Sequence, residues 1–240
     1  MSELGSYTEE EILSLAQGQY DAASEPRPLD PGRTALVVVD MIDEFVKPRW
    51  SPYWIPEATR QAPRIREVVD AFHAERALVI YLAYETDLGG ENFPRTLQAV
   101  PIGRGAEEFE EELFQSVAFS EPLVPGRQDL LVLKHTYSGF QGTPLLTILR
   151  NREITDLVIT GTMTNYCCGA TAREAFWHGF TVTFASDLNS TDDPELHRAE
   201  LRTLRRGFAR IATGAEILLG LQEGATLRGR QGAAAVGGPA

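Results

Sequence analysis

The stretch TALVVVD, Thr34–Asp40, decides the fold class of this chain. It places five consecutive apolar residues after a β-branched threonine and ends directly on an aspartate. Strands that are apolar without alternation are typical of parallel sheets covered by helices on both faces, whereas strands with one solvated face alternate apolar and polar residues. The stretch therefore predicts a buried parallel strand that carries an acidic side chain at its carboxyl end.

The rest of the chain repeats this strand pattern and separates the strands by helical signals. The further apolar runs are Ala77–Leu82, Leu130–Leu133, Leu157–Thr160, Thr181–Ala185 and Ala209–Ala212. Pro63 suits the first position of a helix, and Thr143-Pro144 and Asp193-Pro194 each pair an N-cap with such a proline. Strands that alternate with helices predict an α/β protein, with a three-layer α/β/α fold around a central, mostly parallel sheet of about six strands that is Rossmann-like.

Length and composition divide the chain into one folded domain with two extensions. We predict a polar, acidic arm over residues 1–32, the domain over 33–223, and a flexible tail over the Gly/Ala-rich residues 224–240. The stretch from 86 to 128 is too long for a simple connection, and we interpret it as an excursion within the domain. Its acidic residues from Glu107 to Glu112 predict a helical patch that covers a sheet edge.

The net charge argues against two classes of partner. With 22 Lys and Arg against 34 Asp and Glu, the chain carries a formal charge of -12 at pH 7. Such a polyanion is repelled by phosphate backbones and by anionic lipid surfaces, so we expect no nucleic-acid partner and no membrane. The longest apolar runs are too short to span a bilayer, and the polar N-terminus shows no secretory signal, which predicts a cytoplasmic protein.

Cysteine and histidine spacing argues against a metal site. The only two cysteines, Cys167 and Cys168, are adjacent, so a disulfide between them would be strained and we expect free thiols. The four histidines show no HExxH or HxxxH arrangement. The sequence predicts no metal and no cofactor.

Three chemically active residues follow predicted strands. Asp40 ends the first strand, Lys134 ends the third, and Cys167 follows the fourth through a short turn. Ligands of open parallel sheets bind at the carboxyl ends of the strands. We therefore expect an acid, a base and a thiol on one rim of the sheet.

These residues suit a thiol-dependent hydrolase. A thiolate at a helix N-terminus is stabilised by the helix dipole and by a nearby ammonium, which Lys134 would supply. Asp40 would accept the thiol proton and return it to the leaving nitrogen, while backbone N–H groups around Cys167 would face the oxyanion. From the residues alone a structural interpretation stays open, with Asp40 capping a turn, Lys134 in an ion pair and Cys167 as a small buried apolar residue.

Three blocks of the sequence resemble the signature motifs of the isochorismatase-like cysteine hydrolases, in the order in which that family has them. They are TALVVVDMIDEFV (Thr34–Val46), LVLKHTYSGFQGTPL (Leu131–Leu145) and LVITGTMTNYCCGATAREAFWHGF (Leu157–Phe180). The resemblance extends from about Arg33 to Ala212 and includes amidohydrolases of the N-carbamoylsarcosine amidase and nicotinamidase type. It implies that residues 33–223 form an isochorismatase-like hydrolase domain.

The same resemblance implies roles for individual residues. Asp40, Lys134 and Cys167 match the positions of the family's catalytic triad, and Cys168 falls where an apolar residue is usual. Cys167 would then be the nucleophile and Cys168 a packing residue. The family also implies a cis peptide bond between Thr162 and Met163, which would aim backbone N–H groups of this turn, including that of Cys167, at the oxyanion.

Departures from the family pattern narrow the expected activity. Metal-containing nicotinamidases carry an Asp-x-His cluster after the second strand, whereas Tyr84–Asp87 holds no histidine. Isochorismatases proper commonly have glycine at the position of Cys167, so this cysteine favours cleavage of a C–N bond. Ile42-Asp43 stands where many members have glutamine and asparagine, so no substrate contact is carried over from that glutamine. We expect a cofactor-free amidohydrolase that acts on a small amide, carbamoyl or ureido compound through a covalent thioester intermediate.

Aromatic residues near these motifs are candidates for substrate binding. The candidates for a substrate wall are Phe45, Arg49, Trp50, Tyr137, Phe140 and Tyr166. Aromatic faces would contact an apolar or cyclic group, and a guanidinium would bind a carboxylate. The segment from 47 to 56 suits equally well a subunit interface or a loop pinned by its own aromatic residues. Because family members are often dimers or tetramers, the resemblance favours a homo-oligomer.

Other functions compete with the amidohydrolase. One alternative is an isochorismatase-type hydrolase of another small metabolite, and a second is a catalytically silent binding module of the same fold. The complete set of Asp40, Lys134 and Cys167 argues against the silent module. A dinucleotide-binding oxidoreductase would need a GxGxxG motif after the first strand, where the sequence offers Asp40-Met41-Ile42 instead.

Overall fold

A six-stranded sheet organises the part of the chain that this computed structural model describes, residues 27–84 and 117–236. All neighbouring strands are parallel, in the spatial order β3-β2-β1-β4-β5-β6. The strands are β1 (Thr34–Val39), β2 (Leu78–Tyr84), β3 (Leu130–Lys134), β4 (Asp156–Thr162), β5 (Thr181–Ser190) and β6 (Arg210–Ala212). The predicted α/β fold with a central parallel sheet is confirmed.

Helices cover both faces of the sheet. They are α1 (Asp43–Val46), α2 (Pro56–Ala74), α3 (Leu145–Asn151), a π-helix (Thr164–Cys168), α4 (Gly169–Trp177), α5 (Pro194–Gly207) and α6 (Gly214–Val236). Helices α2 and α6 pack on one face, and α3, α4 and α5 pack on the other. Leu36 and Val38 of β1 belong to the first core, while Val37 and Val39 belong to the second. This explains why β1 is apolar without alternation.

One helix begins earlier than the sequence indicated. The predicted start at Pro63 is wrong, because Pro56 takes the first helical turn of α2 and Pro63 lies inside the helix. The buried stripe of α2 reaches back to Ala58 and Ala62, so tertiary packing extends the helix past a proline that would otherwise be expected to start it.

The C-terminal segment also differs from the expectation. Helix α6 continues to Val236, so residues 224 to 236 are helical where a flexible tail was predicted. Gly224 lies against the chain before β1, because a Cβ there would lie 1.9 Å from the carbonyl oxygen of Leu29. Glycine therefore lets the chain before β1 cross α6 closely, a role that composition alone does not reveal.

Several predictions concern residues outside the described ranges. Most of the acidic arm (1–26), the acidic patch at 107–112 and the last four residues are among them. Among the helices that the structure describes, none combines the length and the apolar character needed to cross a membrane.

Candidate active site

The carboxyl ends of three strands bring Asp40, Lys134 and Cys167 into contact. The Nζ atom of Lys134 lies 2.8 Å from Oδ2 of Asp40 and 3.2 Å from Sγ of Cys167. Lys134 also donates to the carbonyl oxygen of Thr136 at 3.2 Å. The side chains of Asp40 and Lys134 are fully buried, and Cys167 is 7% exposed. The acid, the base and the thiol therefore lie in contact on one rim of the sheet, as the sequence predicts.

Asp40 leaves its strand through an unusual backbone conformation. It directly follows β1, and its φ of 49° lies in the left-handed region. Its backbone N–H donates to the carbonyl oxygen of Leu82 at 2.8 Å, which holds this turn to the neighbouring strand. Non-glycine residues in this region are uncommon and cluster at functional sites.

Cys167 lies in the π-helix between β4 and α4. The approach to it requires Gly161, whose φ is 120° and where a Cβ would lie 2.0 Å from the carbonyl oxygen of Val39. The peptide bond between the buried residues Thr162 and Met163 is cis. The hydroxyl of Thr171 donates to the carbonyl oxygen of Cys167 at 2.6 Å and ties the π-helix to α4. Short π-helical segments are frequent at functional sites.

The electrostatics of the three residues correct one expectation. Burial opposes the charge of Lys134, but Asp40 and Cys167 outweigh burial and raise the lysine's pKa. Burial, followed by the charge of Asp40, raises the pKa of Cys167 to about 12, although Lys134 opposes the shift. Burial and Asp40 therefore act against the preformed thiolate that we expected from the helix dipole, and Lys134 acts in its favour.

Glu44 is a site residue that the sequence analysis missed. It lies on α1, four residues after Asp40, and its side chain is partly buried. Burial and the charge of Asp40 raise its pKa to about 7, with Lys134 opposing. The negative charge of Glu44 also contributes to the raised pKa of Tyr53 and of Tyr84, after burial in both cases. Its nearness to Asp40 in the sequence, four residues away, was the available signal.

We predict that Glu44→Gln reduces the loss of stability at high pH. In the folded wild type the pKa of Glu44 is raised from its ordinary 4.5 to about 7. Its contribution to stability is therefore present below about pH 4.5 and is lost as the pH rises through about 7. Glutamine does not titrate. We therefore expect the free energy of unfolding of the variant, relative to that of the wild type, to be about 2–3 kcal/mol higher at pH 8 than at pH 4.

Urea unfolding of both proteins at the two pH values measures this difference. Glu57→Gln serves as the control, because Glu57 is an exposed glutamate of α2 that pairs with Arg60. The same pH dependence in Glu44→Gln and in the wild type would contradict the prediction.

Three tyrosines surround the charged centre. Tyr84 ends β2 in register with Lys134, and its ring centroid lies 5.3 Å from the lysine Nζ. The rings of Tyr137 and Tyr166 lie 5.2 Å apart at 48°, and Tyr166 directly precedes Cys167. Of the predicted substrate wall, Tyr137 and Tyr166 therefore lie beside the nucleophile candidate, and Tyr84 is an aromatic residue that the prediction did not include.

Phe140 and Phe45 have packing contacts instead. Phe140 is buried in the same core cluster as Cys167, with ring contacts to His178 at 5.2 Å and Phe180 at 6.1 Å. Phe45 is partly buried against the opposite core. The apolar character of both rings made either environment possible, and only the packing decides between them.

The loop from 47 to 56 is held by its own aromatic residues. Lys47 lies over the ring of Trp50 at 5.3 Å, and the indole N–H of Trp54 donates to the hydroxyl of Thr59 on α2 at 2.8 Å. Arg49 is exposed and has a φ of 59°. These contacts favour the interpretation of the segment as a pinned loop, with its guanidinium directed to solvent.

The described residues contain no cluster of potential metal ligands. Within 27–84 and 117–236 no group of three or more His, Cys, Asp or Glu side chains is arranged to hold an ion. Both cysteines are free thiols and both are buried.

Comparison with known proteins identifies the family. The model of the isochorismatase domain matches residues 34–216, which is most of the chain and includes Asp40, Lys134 and Cys167. The chain belongs to the isochorismatase family. The resemblance seen in the three sequence blocks is thereby confirmed.

Similar proteins in this family are amidohydrolases by name. A ureidoacrylate amidohydrolase RutB of Caulobacter vibrioides is 27% identical over 231 residues, which covers 85% of this chain and 94% of that protein. Nicotinamidase 3 of Arabidopsis thaliana is 46% identical over 81 residues, but the match spans only 34% of this chain and 41% of that protein. The predicted class of hydrolases that act on C–N bonds other than peptide bonds is confirmed at this level.

A solved structure superposes well on this chain. The cysteine hydrolase from Pseudomonas syringae pv. phaseolicola 1448A has a TM-score of 0.73 and 28% sequence identity. The superposition covers 84% of this chain and 99% of that chain. The shared fold therefore extends over nearly all of the neighbour's length.

Proposed function

We propose that this protein hydrolyses the C–N bond of a small amide, carbamoyl or ureido compound through a thioester on Cys167. The observation that carries the proposal is the position of Lys134 Nζ, which contacts both Asp40 Oδ2 at 2.8 Å and Cys167 Sγ at 3.2 Å. A nucleophile, a charge-compensating ammonium and a carboxylate base in direct contact are the groups that covalent acyl transfer requires. The names of the similar amidohydrolases support the same reaction class.

The first step is attack of the thiol on the substrate carbonyl. Because the pKa of Cys167 is raised to about 12, the thiol must lose its proton as the C–S bond forms, and Asp40 is the carboxylate that takes it. Lys134 keeps the added negative charge on sulfur compensated as the proton moves.

The negative charge then passes to the substrate oxygen. We assign its stabilisation to backbone N–H groups of the turn that contains Thr162, Met163 and Cys167. This turn precedes α4, and the first N–H groups at a helix start have no intrahelical acceptor. Tyr137 and Tyr166 supply apolar ring faces beside the nucleophile for the rest of a small substrate.

The remaining steps restore the enzyme. Asp40 returns its proton to the leaving nitrogen, the C–N bond breaks, and ammonia or an amine departs, which leaves the acyl group on Cys167. A water molecule then attacks the thioester and gives its proton to Asp40. The C–S bond breaks, the thiolate takes that proton back, and the carboxylic or carbamic acid leaves.

A panel of small substrates tests the proposal. The purified protein is assayed for ammonia release from small amides, carbamoyl compounds and ureas, with Cys167→Ala as the control for contaminating activity. Release that depends on Cys167 supports an amidohydrolase and identifies its substrate class. Absence of release from every compound would favour a catalytically silent binding module instead.

We predict that activity survives exhaustive chelation. The carbonyl would be polarised by backbone donors, so no Lewis acid is needed for the attack. The measurement is the rate of ammonia release before and after treatment with EDTA and phenanthroline followed by gel filtration. Loss of activity that added zinc or iron restores would overturn this prediction.

We also predict a homo-oligomer in solution. Trp177 on α4 is 70% exposed, and its neighbour Phe176 is 47% exposed. Large aromatic residues are enriched at subunit interfaces, and closed symmetric homo-oligomers are the common outcome. Light scattering at micromolar concentration measures the mass, and a value near 26.5 kDa would refute the prediction. Trp177→Ser should lower the mass if this surface forms the interface.

A further inference from the structure

His197 connects helix α5 to the segment that carries Cys167. Its Nδ1 atom lies 2.9 Å from the hydroxyl oxygen of Thr164, and its Nε2 atom lies 3.1 Å from the carbonyl oxygen of Ser186 on β5. Thr164 is fully buried and begins the π-helix, three residues before Cys167. The imidazole therefore bridges the sheet and the first residue of the nucleophile-bearing turn.

The partners of His197 determine its tautomer. A carbonyl oxygen only accepts, so Nε2 carries the proton and donates to Ser186. Nδ1 of the neutral ring is then an acceptor, and the hydroxyl of Thr164 donates to it. Burial lowers the pKa of His197, which favours this neutral form, while the bond to Ser186 opposes the shift and Arg198 adds to it. The hydroxyl of Thr164 therefore donates its hydrogen to Nδ1 of His197.

A second contact from α5 holds the other end of the same turn. Glu200, one helical turn after His197, forms a two-point ion pair with Arg173 of α4. The carboxylate lies over Gly169, where a Cβ would be 2.1 Å from Oε1 of Glu200. Helix α5 therefore holds both Thr164 and the start of α4, with Cys167 between them.

We propose that His197 is a positioning residue, which accepts the hydroxyl of Thr164 and thereby holds the π-helix so that Cys167 Sγ remains in contact with Lys134 Nζ. Nothing in the geometry puts His197 in contact with the reacting atoms, so its effect is transmitted through Thr164. The inference rests on the proposed function in one respect, the role of Cys167 as nucleophile. It adds a residue on α5, which none of the three sequence blocks contains.

The test compares variants that remove or keep the acceptor. His197→Ala and Thr164→Val each delete the hydrogen bond, whereas His197→Asn keeps an amide oxygen near the position of Nδ1. His73→Ala is the matched control. His73 is a partly buried residue of α2 that contacts Asp129 at the amino edge of the sheet, opposite the site. Thermal midpoints are measured for every variant.

Two readouts separate positioning from a general loss of stability. We expect His197→Ala and Thr164→Val to lower kcat by about tenfold or more with little change in KM, and His197→Asn to recover most of it. We also expect iodoacetamide to alkylate Cys167 about tenfold faster in the two deletion variants at pH 8, because a displaced thiol loses the burial and the contact with Asp40 that raise its pKa. His73→Ala should change neither readout, even if its thermal midpoint falls.

Specific outcomes would overturn the inference. A folded His197→Ala protein with the kcat and alkylation rate of the wild type would do so, and so would equal changes of kcat and alkylation rate in His73→Ala. If His197→Ala does not fold, Thr164→Val and His197→Asn carry the test. If the wild type hydrolyses no compound of the panel, the proposed function fails, while the alkylation rates still decide whether His197 positions Cys167.

Discussion

Cys167→Ala lowers turnover to background, whereas Cys168→Ala keeps most of the activity. We expect the first variant to lose about 10⁴-fold or more in kcat, because no other nucleophile replaces the thiol in the covalent step. The two thiols are neighbours and both are buried, but only Cys167 contacts the ammonium of Lys134, at 3.2 Å. Cys168 is fully buried in the apolar core, where its pKa is raised by burial and then by the charge of Cys167.

Alkylation and mass spectrometry check the assignment. Peptide mapping after brief iodoacetamide treatment should find label on Cys167 before Cys168, and prior occupation by substrate should protect it. Cys168→Ala removes one buried sulfur and is expected to cost about 1–2 kcal/mol of stability, so its activity is measured well below its thermal midpoint. Preferential labelling of Cys168 in active protein, or a Cys167→Ala variant that still turns over, would reject Cys167 as the nucleophile.

Asp40→Asn lowers kcat by about 10²–10⁴-fold with a much smaller change in KM, because the amide cannot accept the thiol proton. We expect this loss to be large because burial and Asp40 raise the pKa of Cys167, so attack by sulfur depends on a base that takes the thiol proton. Lys134→Met should also lower kcat, through the loss of the charge that compensates the sulfur. Lys134→Arg restores that charge in a planar group that does not match the site, so we expect only partial recovery.

Stability must be measured beside activity in these variants. Asp40 and Lys134 are both fully buried, and removal of one partner leaves an uncompensated charge that costs about 3–5 kcal/mol. The double variant Asp40→Asn/Lys134→Met removes both charges and is the matched control, since it should recover stability without recovering activity. A folded Asp40→Asn protein that turns over near the wild-type rate would exclude the proton-transfer role.

Much of the fold is predictable from local sequence. The bounds of β1 follow closely from its run of apolar residues, because a strand buried on both faces has no solvated face for charged side chains. Asp193-Pro194 also starts α5 as expected, with the Asp193 carboxylate accepting the N–H of Glu195 at 2.7 Å. Both signals act within a few residues, so the tertiary structure does not alter them.

The order of the strands and the three sequence blocks likewise located Asp40, Lys134 and Cys167. A parallel sheet has all its carboxyl ends on one edge, so residues that directly follow such strands share that edge whatever the intervening chain does. The family resemblance then distinguished Cys167 from Cys168, which composition and spacing could not.

Other features were decided only by the tertiary structure, because they depend on what surrounds a side chain. The pKa of Cys167 is raised because burial and Asp40 outweigh Lys134, and that balance exists only when three distant parts of the chain meet. Phe140 is a core residue and Tyr84 a site residue, although both are aromatic residues near the predicted motifs. Sequence by itself determined which residues reach the rim of the sheet; packing decided their charge states, their neighbours and the contact of His197 with the nucleophile turn.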